Sequence, residues 1–142
     1  YPNGIATSAD EKKLYVSTGS GLGIVSIDLS TKEMKPVSHS RFLVIALDGL
    51  YRYGNKLIGV QNSFFPEAVL QFDLSSDGTR IDHISFLASN DPAFDVPTTG
   101  VVAGNEFYFI ANSQLFQLIG NKGKIKDPAK LKDTQIMKIK LN

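Results

Sequence analysis

The chain has 142 residues, 42% of them hydrophobic, and a formal net charge of +1; that length suits one ordinary domain. It has no cysteine, which excludes disulfides, thiolate catalysis and cysteine-held zinc or iron. So small a charge gives no field of the kind that draws nucleic acid or a membrane surface, and no uncharged apolar run approaches the ~18 residues of a membrane span.

In chain order, the opening Tyr1-Pro2-Asn3-Gly4 reads as a turn with nothing before it to turn from. We read it as a loop entering the innermost strand of a sheet, with earlier sheets preceding it. Two strands follow, "KLYVST" and "GIVSIDLS", then a short segment "EMKPVSH". The pattern restarts at Asp48-Gly49 with "GLYRY", "KLIGVQN", "AVLQFDLS" and "RIDHISFLAS". It restarts again at Thr99-Gly100 with "GVVAG" and "EFYFIAN", and ends on "IMKIKLN". Period-2 alternation in these segments is the mark of half-buried strands. Between strands, "STKE" and "SSDG" read as hairpin loops. The one helical signal is "DPAKLKD", with Asp127 as N-cap and Pro128 as first residue, inside an insertion spanning 114–134.

The Asn3-Gly4, Asp48-Gly49 and Thr99-Gly100 dipeptides lie 45 and 51 residues apart. Four short strands per unit at that period are the signature of propeller blades. The fold class expected is therefore all-β, a β-propeller of about three four-stranded blades, over approximately 1–40, 41–89 and 95–142. Three blades make an open arc, so the ring inferred is six-bladed. The third unit ends at its third strand, as in propellers whose last blade is completed from the N-terminus, closure removing exposed sheet edges.

The stretch "PNGIATSADEKKLYV" resembles the motif of the senescence-marker-protein, gluconolactonase and strictosidine-synthase-like propellers, and "LDGLYRYGNKLIGVQN" resembles the next blade of that family. The resemblance covers residues 1–75, and residues 95–113 are similar to the last blade of bacterial members. It implies a six-bladed ring with a divalent cation, usually calcium, on its axis, in a family that includes lactonases, paraoxonases and diisopropylfluorophosphatase. It also implies that Asn3 and Asp48 are metal ligands, matching the family's "PNG" Asn and "DG" Asp. Two further ligands, a Glu and an Asn, belong to a first half that has no counterpart among these residues. Calcium takes six to eight oxygen ligands, and a cation so placed polarises a carbonyl or phosphoryl oxygen. Asp48 is also the candidate general base or nucleophile.

Each of these residues has an ordinary reading too. Asn-Gly and Asp-Gly are common turn dipeptides. Thr99, at the third equivalent position, is a poor calcium ligand and reads as a pocket wall or turn residue. Asn62 and Asn112 end matching strands, and either line the axial mouth or cap those strands. Phe64 and Phe65 wall a pocket or pack between blades, and Tyr51 and Tyr53 read as core. His39 and His83 lie near outer strands, away from an axial site. "GSGLG" at 19–23 and "GNKGK" at 120–124 fail as nucleotide or phosphate loops, and residues 73–82 imitate a calcium loop but have Ile84 where its Glu belongs. Residues 121–142 carry seven Lys and two Asp, a solvated rim or a surface for an acidic partner.

The function expected is that of the C-terminal half of a metal-dependent hydrolase, most simply calcium-dependent, acting on a small lactone, ester or phosphotriester. Its partners would be that substrate and the N-terminal blades of the same protein. The other reading is a non-catalytic propeller that binds a protein or glycan. Fold does not choose between them.

Overall fold

Residues 1–19, 21–39, 44–118 and 122–142 are described by a computed structural model. The ends of the first two expected blades that meet at 40–43, part of the expected insertion at 119–121, and Ser20 of "GSGLG" lie outside the described residues. The described residues form three antiparallel sheets. The first, in order β1-β2-β3-β4, comprises Pro2–Thr7, Lys13–Thr18, Ile24–Asp28 and Met34–Pro36. The second, β5-β6-β7-β8, comprises Leu47–Tyr53, Lys56–Gln61, Ala68–Leu74 and Ile81–Ser89. The third has three strands, β9 (Gly100–Ala103), β10 (Glu106–Ile110) and β11 (Ile136–Lys140), with β10 in the middle. Each sheet is a meander of sequential strands, and the chain is a partial β-propeller. Two single 3-10 turns, Leu115–Gln117 and Pro128–Lys130, complete the described elements. Asp127 caps the second by accepting from the Ala129 N–H at 3.2 Å, with Pro128 as its first residue.

Local chemistry sets the meanders. Tyr53 pairs with Lys56 across Gly54-Asn55, and Ala103 with Glu106 across Gly104-Asn105. Gly54 has φ 59° and Gly104 φ 60°, the left-handed conformation that tight hairpins require and glycine adopts freely. Longer hairpins are held by aspartates. Asp77 accepts from Ser75 Oγ at 2.7 Å and from the Thr79 N–H at 3.1 Å, so the stretch that imitates a calcium loop is a capped turn. Ser8 and Asp10 repeat this arrangement at the first hairpin. Asp28 accepts from the N–H groups of Ser30 and Thr31, both at 2.9 Å.

The opening differs from the expected loop. The strand already begins at Pro2, and Asn3-Gly4 forms an irregularity inside β1, between the pairs Pro2–Thr18 and Ile5–Val16. Asp48 likewise sits inside β5, at a register shift between Leu47 and Gly49. A bulge turns a strand residue out of the regular alternation, so a turn-like dipeptide can occupy a strand.

Two apolar layers join the sheets. Ala6, Tyr15 and Ile24 of the first sheet pack with Leu50, Leu57, Leu70 and Phe72 of the second. Ile58, Val60 and Val69 of the second sheet pack with Phe107, Phe109 and Leu141. Consecutive residues Leu57 and Ile58, or Val69 and Leu70, thus serve opposite layers, as period-2 alternation requires. Phe107 is fully buried, stacks on Phe109 with ring centroids 5.6 Å apart, and meets Tyr51 at 5.0 Å.

Phe107→Ala should cost about 3–5 kcal/mol of stability, the range for emptying a buried aromatic site, measured by urea unfolding. Acid should weaken the hairpins. Hydrogen bonds from Ser75 Oγ and the Thr79 N–H and Oγ hold Asp77 down at about 2, from an ordinary 3.8. The Thr31 N–H, the Ser30 hydroxyl and the Ser30 N–H depress Asp28 further. Groups depressed in the folded state stabilise it above the ordinary value and lose that contribution as pH falls through the folded one. The unfolding midpoint should therefore fall between about pH 4 and pH 2, and Asp77→Ala should flatten that decline.

Candidate functional site

The first strands of the three sheets, β1, β5 and β9, lie side by side, β5 in the middle. At β1 and β5 the approach is backbone to backbone. A Cβ at Gly4 would stand 2.6 Å from the Gly49 carbonyl carbon, so only glycine fits there. This close approach brings the Asn3 bulge onto the Asp48 bulge. Asn3 Nδ2 donates to Asp48 Oδ1 at 2.8 Å.

The other carboxylate oxygen is held from the opposite side. Asn62 Nδ2, one residue past the end of β6, donates to Asp48 Oδ2 at 3.1 Å and to the Pro97 carbonyl at 2.8 Å. The Thr98 hydroxyl donates to the same Oδ2. Asp48 is half-buried, Asn62 buried and Asn3 exposed, so the cluster is open on the Asn3 side. Among the described residues no cationic side chain is paired with Asp48. The carboxylate is surrounded by neutral donors from all three sheets.

Thr98 is held by its own backbone, and the two residues after it by a phenol. Its N–H donates to the Ile110 carbonyl at 3.0 Å, and the Ile110 N–H to the Thr99 carbonyl at 3.1 Å, which extends the β9–β10 pairing. Tyr51 OH accepts the Gly100 N–H at 2.7 Å and lies 3.1 Å from Thr99 Oγ1. The two segments that carry Asn62 and Thr98 contain left-handed residues other than glycine, Ser63 (φ 56°) and Val96 (φ 59°). Such conformations cost about 1–3 kcal/mol each and persist only where the surroundings fix them.

Asn3, Asp48 and Asn62 therefore come together. Thr99 sits beside them on Tyr51, one residue from the hydroxyl that reaches Asp48. Asn112 does different work: its Nδ2 donates to the Asp133 carbonyl at 2.9 Å and its Oδ1 accepts the Gln135 N–H at 2.6 Å. At 2% exposure, it braces the connection between β10 and β11. Gln114 does the same with both backbone groups of Lys132. Sequence reasoning missed Thr98 and the Pro97 carbonyl; the Thr98-Thr99 doublet was the signal, and nothing in it says which hydroxyl faces inward.

The donor set fits a hard cation in part. Carboxylate, carboxamide and hydroxyl oxygens are the chemistry calcium takes, but both carboxamides here turn Nδ2 toward Asp48, so Asn3 would have to rotate its amide to offer Oδ1 to a shared ion. Among the described residues no three His, Cys, Asp or Glu side chains gather as a metal-binding group. Among them, too, no helix is long and apolar enough to cross a membrane.

No family model and no curated protein matches the sequence. Solved structures do match its fold. A luciferin-regenerating enzyme aligns over 98% of this chain and 44% of its own, with 16% identity and a TM-score of 0.59. The PQQ-bound aldose sugar dehydrogenase of Streptomyces coelicolor aligns over 86% of this chain and 41% of its own, at 14% identity and TM-score 0.58. A protein assigned as TolB from Agrobacterium tumefaciens aligns over 99% and 45%, at 14% and 0.57. The chain spans under half the length of each, and at these identities the likeness is one of fold: all are β-propellers.

Tyr51→Phe removes the acceptor of the Gly100 N–H. It should cost about 1–2 kcal/mol by denaturant unfolding and speed hydrogen exchange at Gly100, while the amides of β7 keep their protection.

Proposed function

We propose that this chain is the C-terminal half of a metal-dependent hydrolase propeller whose substrate is a small lactone, ester or phosphotriester. The observation that carries the reading is the convergence of Asn3, Asn62 and Thr98, from three successive sheets, on the one half-buried carboxylate of Asp48. A carboxylate whose partners are all neutral keeps its full negative charge, the charge to which a hard cation is drawn. Asp48 and Asn3 would be the protein's ligands to calcium, the ligand pair that the resemblance implies. Bound there, calcium would polarise the carbonyl or phosphoryl oxygen of the substrate.

The chain's own residues divide the remaining work. Asn62 and Thr98 hold the carboxylate through Oδ2, while Oδ1 accepts only from the exposed Asn3, whose amide would turn to share a cation with it. On that side Asp48 serves as general base or nucleophile. Tyr51 holds the start of β9 against β5 and so keeps Thr98 in reach. N-terminal blades of the same protein would supply the remaining ligands. In support, apolar side chains stand open on both end sheets: Ile5 is 57% and Met34 59% exposed on the first, Val101 56% and Ile136 62% on the third. Such surface is the kind a neighbouring blade covers.

The test uses the intact protein. Calcium titration by calorimetry should show binding, and Asp48→Asn, which keeps the shape and removes the charge, should weaken it roughly tenfold or more and depress lactone or ester hydrolysis. Asn3→Ala should act in the same direction. Unchanged calcium binding and hydrolysis in Asp48→Asn would leave the non-catalytic propeller, a binder of protein or glycan, as the reading that stands.

A further inference from the structure

An open groove of about 470 Å³ crosses the first strands of the three sheets, lined by Ile5 and Thr7 of β1, Tyr51 and Arg52 of β5, and Gly100 and Val101 of β9. The three strands run in one direction. Asn3 and Thr98 meet Asp48 at their start, and further along β5 Gly100 meets Tyr51. The groove therefore begins just beyond the Asp48 cluster and follows β5 toward its hairpin. Its walls are apolar: Ile5 and Val101 are both β-branched and both more than half exposed. Among the described residues, the one charged side chain that lines it is Arg52. Gly4 lies against Gly49 and Leu50, so Thr7, further along β1, comes level with Arg52.

We propose that this groove binds an aliphatic carboxylate, with the carboxylate on Arg52 and the chain between Ile5 and Val101. A guanidinium carries five N–H donors in a planar fork that matches a carboxylate. Among the described residues no acidic side chain pairs with Arg52. Its Nη1 donates to the Gly54 carbonyl at 3.4 Å, a long bond that leaves most of the fork unused. The side chain is exposed, so those donors are open to a ligand. Thr7, also exposed, adds a hydroxyl at the same level.

Charge fixes both the class of ligand and its orientation. With Arg52 as the one charge along the groove, a cationic ligand finds no partner there. Asp48 stands four positions earlier on β5, up to roughly 13 Å of strand away, and its negative charge repels an anion from that end. The carboxylate is thereby directed to Arg52, and the chain points back along the apolar walls toward Asp48. A small hydrated anion gains nothing from Ile5 and Val101, whereas an aliphatic chain removes their surface from water. The site stands apart from the hydrolase reading. Where both hold, the ligand is of the class that ester hydrolysis releases, a carboxylic acid in its ionised form.

The experiment is a titration of the intact, calcium-free protein with sodium hexanoate, read by NMR at the methyl groups of Ile5 and Val101 and at the Arg52 Nε–H. All three signals should shift and saturate together, with a Kd in the millimolar range or tighter. Hexanol, the same chain without the charge, should bind roughly tenfold more weakly or worse. Arg52→Gln should weaken hexanoate by a similar factor and leave hexanol unchanged. Arg52 is exposed, so this substitution should keep the unfolding midpoint in place, and the hexanol comparison needs no variant at all. Asp48→Asn, which weakens calcium if the hydrolase reading is right, should leave hexanoate binding at full strength, so failure of one site is read apart from failure of the other. Methyl signals that stay still, as they would beneath a neighbouring blade that fills the groove, would overturn the proposal. So would shifts that rise without saturating, equal affinity for hexanol, full hexanoate affinity in Arg52→Gln, or its loss in Asp48→Asn.

Discussion

The first strands of the first two sheets meet through their backbones, with Gly4 set against Gly49 and Leu50, and the geometry of the whole site follows from that approach. Side chains between these strands would hold them apart by the width of a methyl group or more. Asn3 would then stand beyond hydrogen-bond reach of Asp48. The apolar layers supply the driving force for the sheets to stack, but they act over large areas and tolerate small shifts. The glycine contact fixes the spacing at one end of the strands, where the polar groups gather.

Polar side chains then complete what the backbone begins. Asn62 bridges the Asp48 carboxylate and the Pro97 carbonyl, and so couples the second sheet to the segment entering the third. Its counterpart at the end of the next middle strand, Asn112, makes the same kind of bridge to a different target, the 133–135 backbone. One residue type at one repeat position thus does two jobs: beside Asp48 it orients an anion, and beside the longer β10–β11 connection it anchors that excursion to the sheet.

The propeller was legible because its signals are local and repeated. Gly54-Asn55 and Gly104-Asn105 mark hairpins by composition alone, and the alternation in "AVLQFDLS" and "EFYFIAN" announces strands whose faces are buried. The recurrence of a Gly dipeptide at each first strand put Asn3, Asp48 and Thr99 at equivalent positions, and the family resemblance singled out the first two. Their meeting at 2.8 Å depends on strand-to-strand spacing, which the repeat implies but does not measure. What escaped was set by long-range contacts. The bulges that keep Asn3 and Asp48 within strands depend on pairing with β2 and β6, and composition reads such dipeptides as turns. Thr98 rather than Thr99 bonds Asp48, in a segment whose Val96 is left-handed, a conformation that valine's own preferences argue against. Asn112 looks like Asn62 in sequence but bonds the far end of the insertion that follows it, at Asp133 and Gln135.

The middle sheet buries both of its faces, Leu57, Leu70 and Phe72 toward one neighbour and Ile58, Val60 and Val69 toward the other. Stacked units of this kind behave as a short one-dimensional array, in which each member's stability is its own plus what it shares with its neighbours. Asp48 sits on the sheet that is packed on both faces, and its partners Asn3 and Thr98 reach it from the two neighbouring units. The cluster therefore closes only when both packing layers are formed, so its polar contacts register the spacing of two interfaces at once.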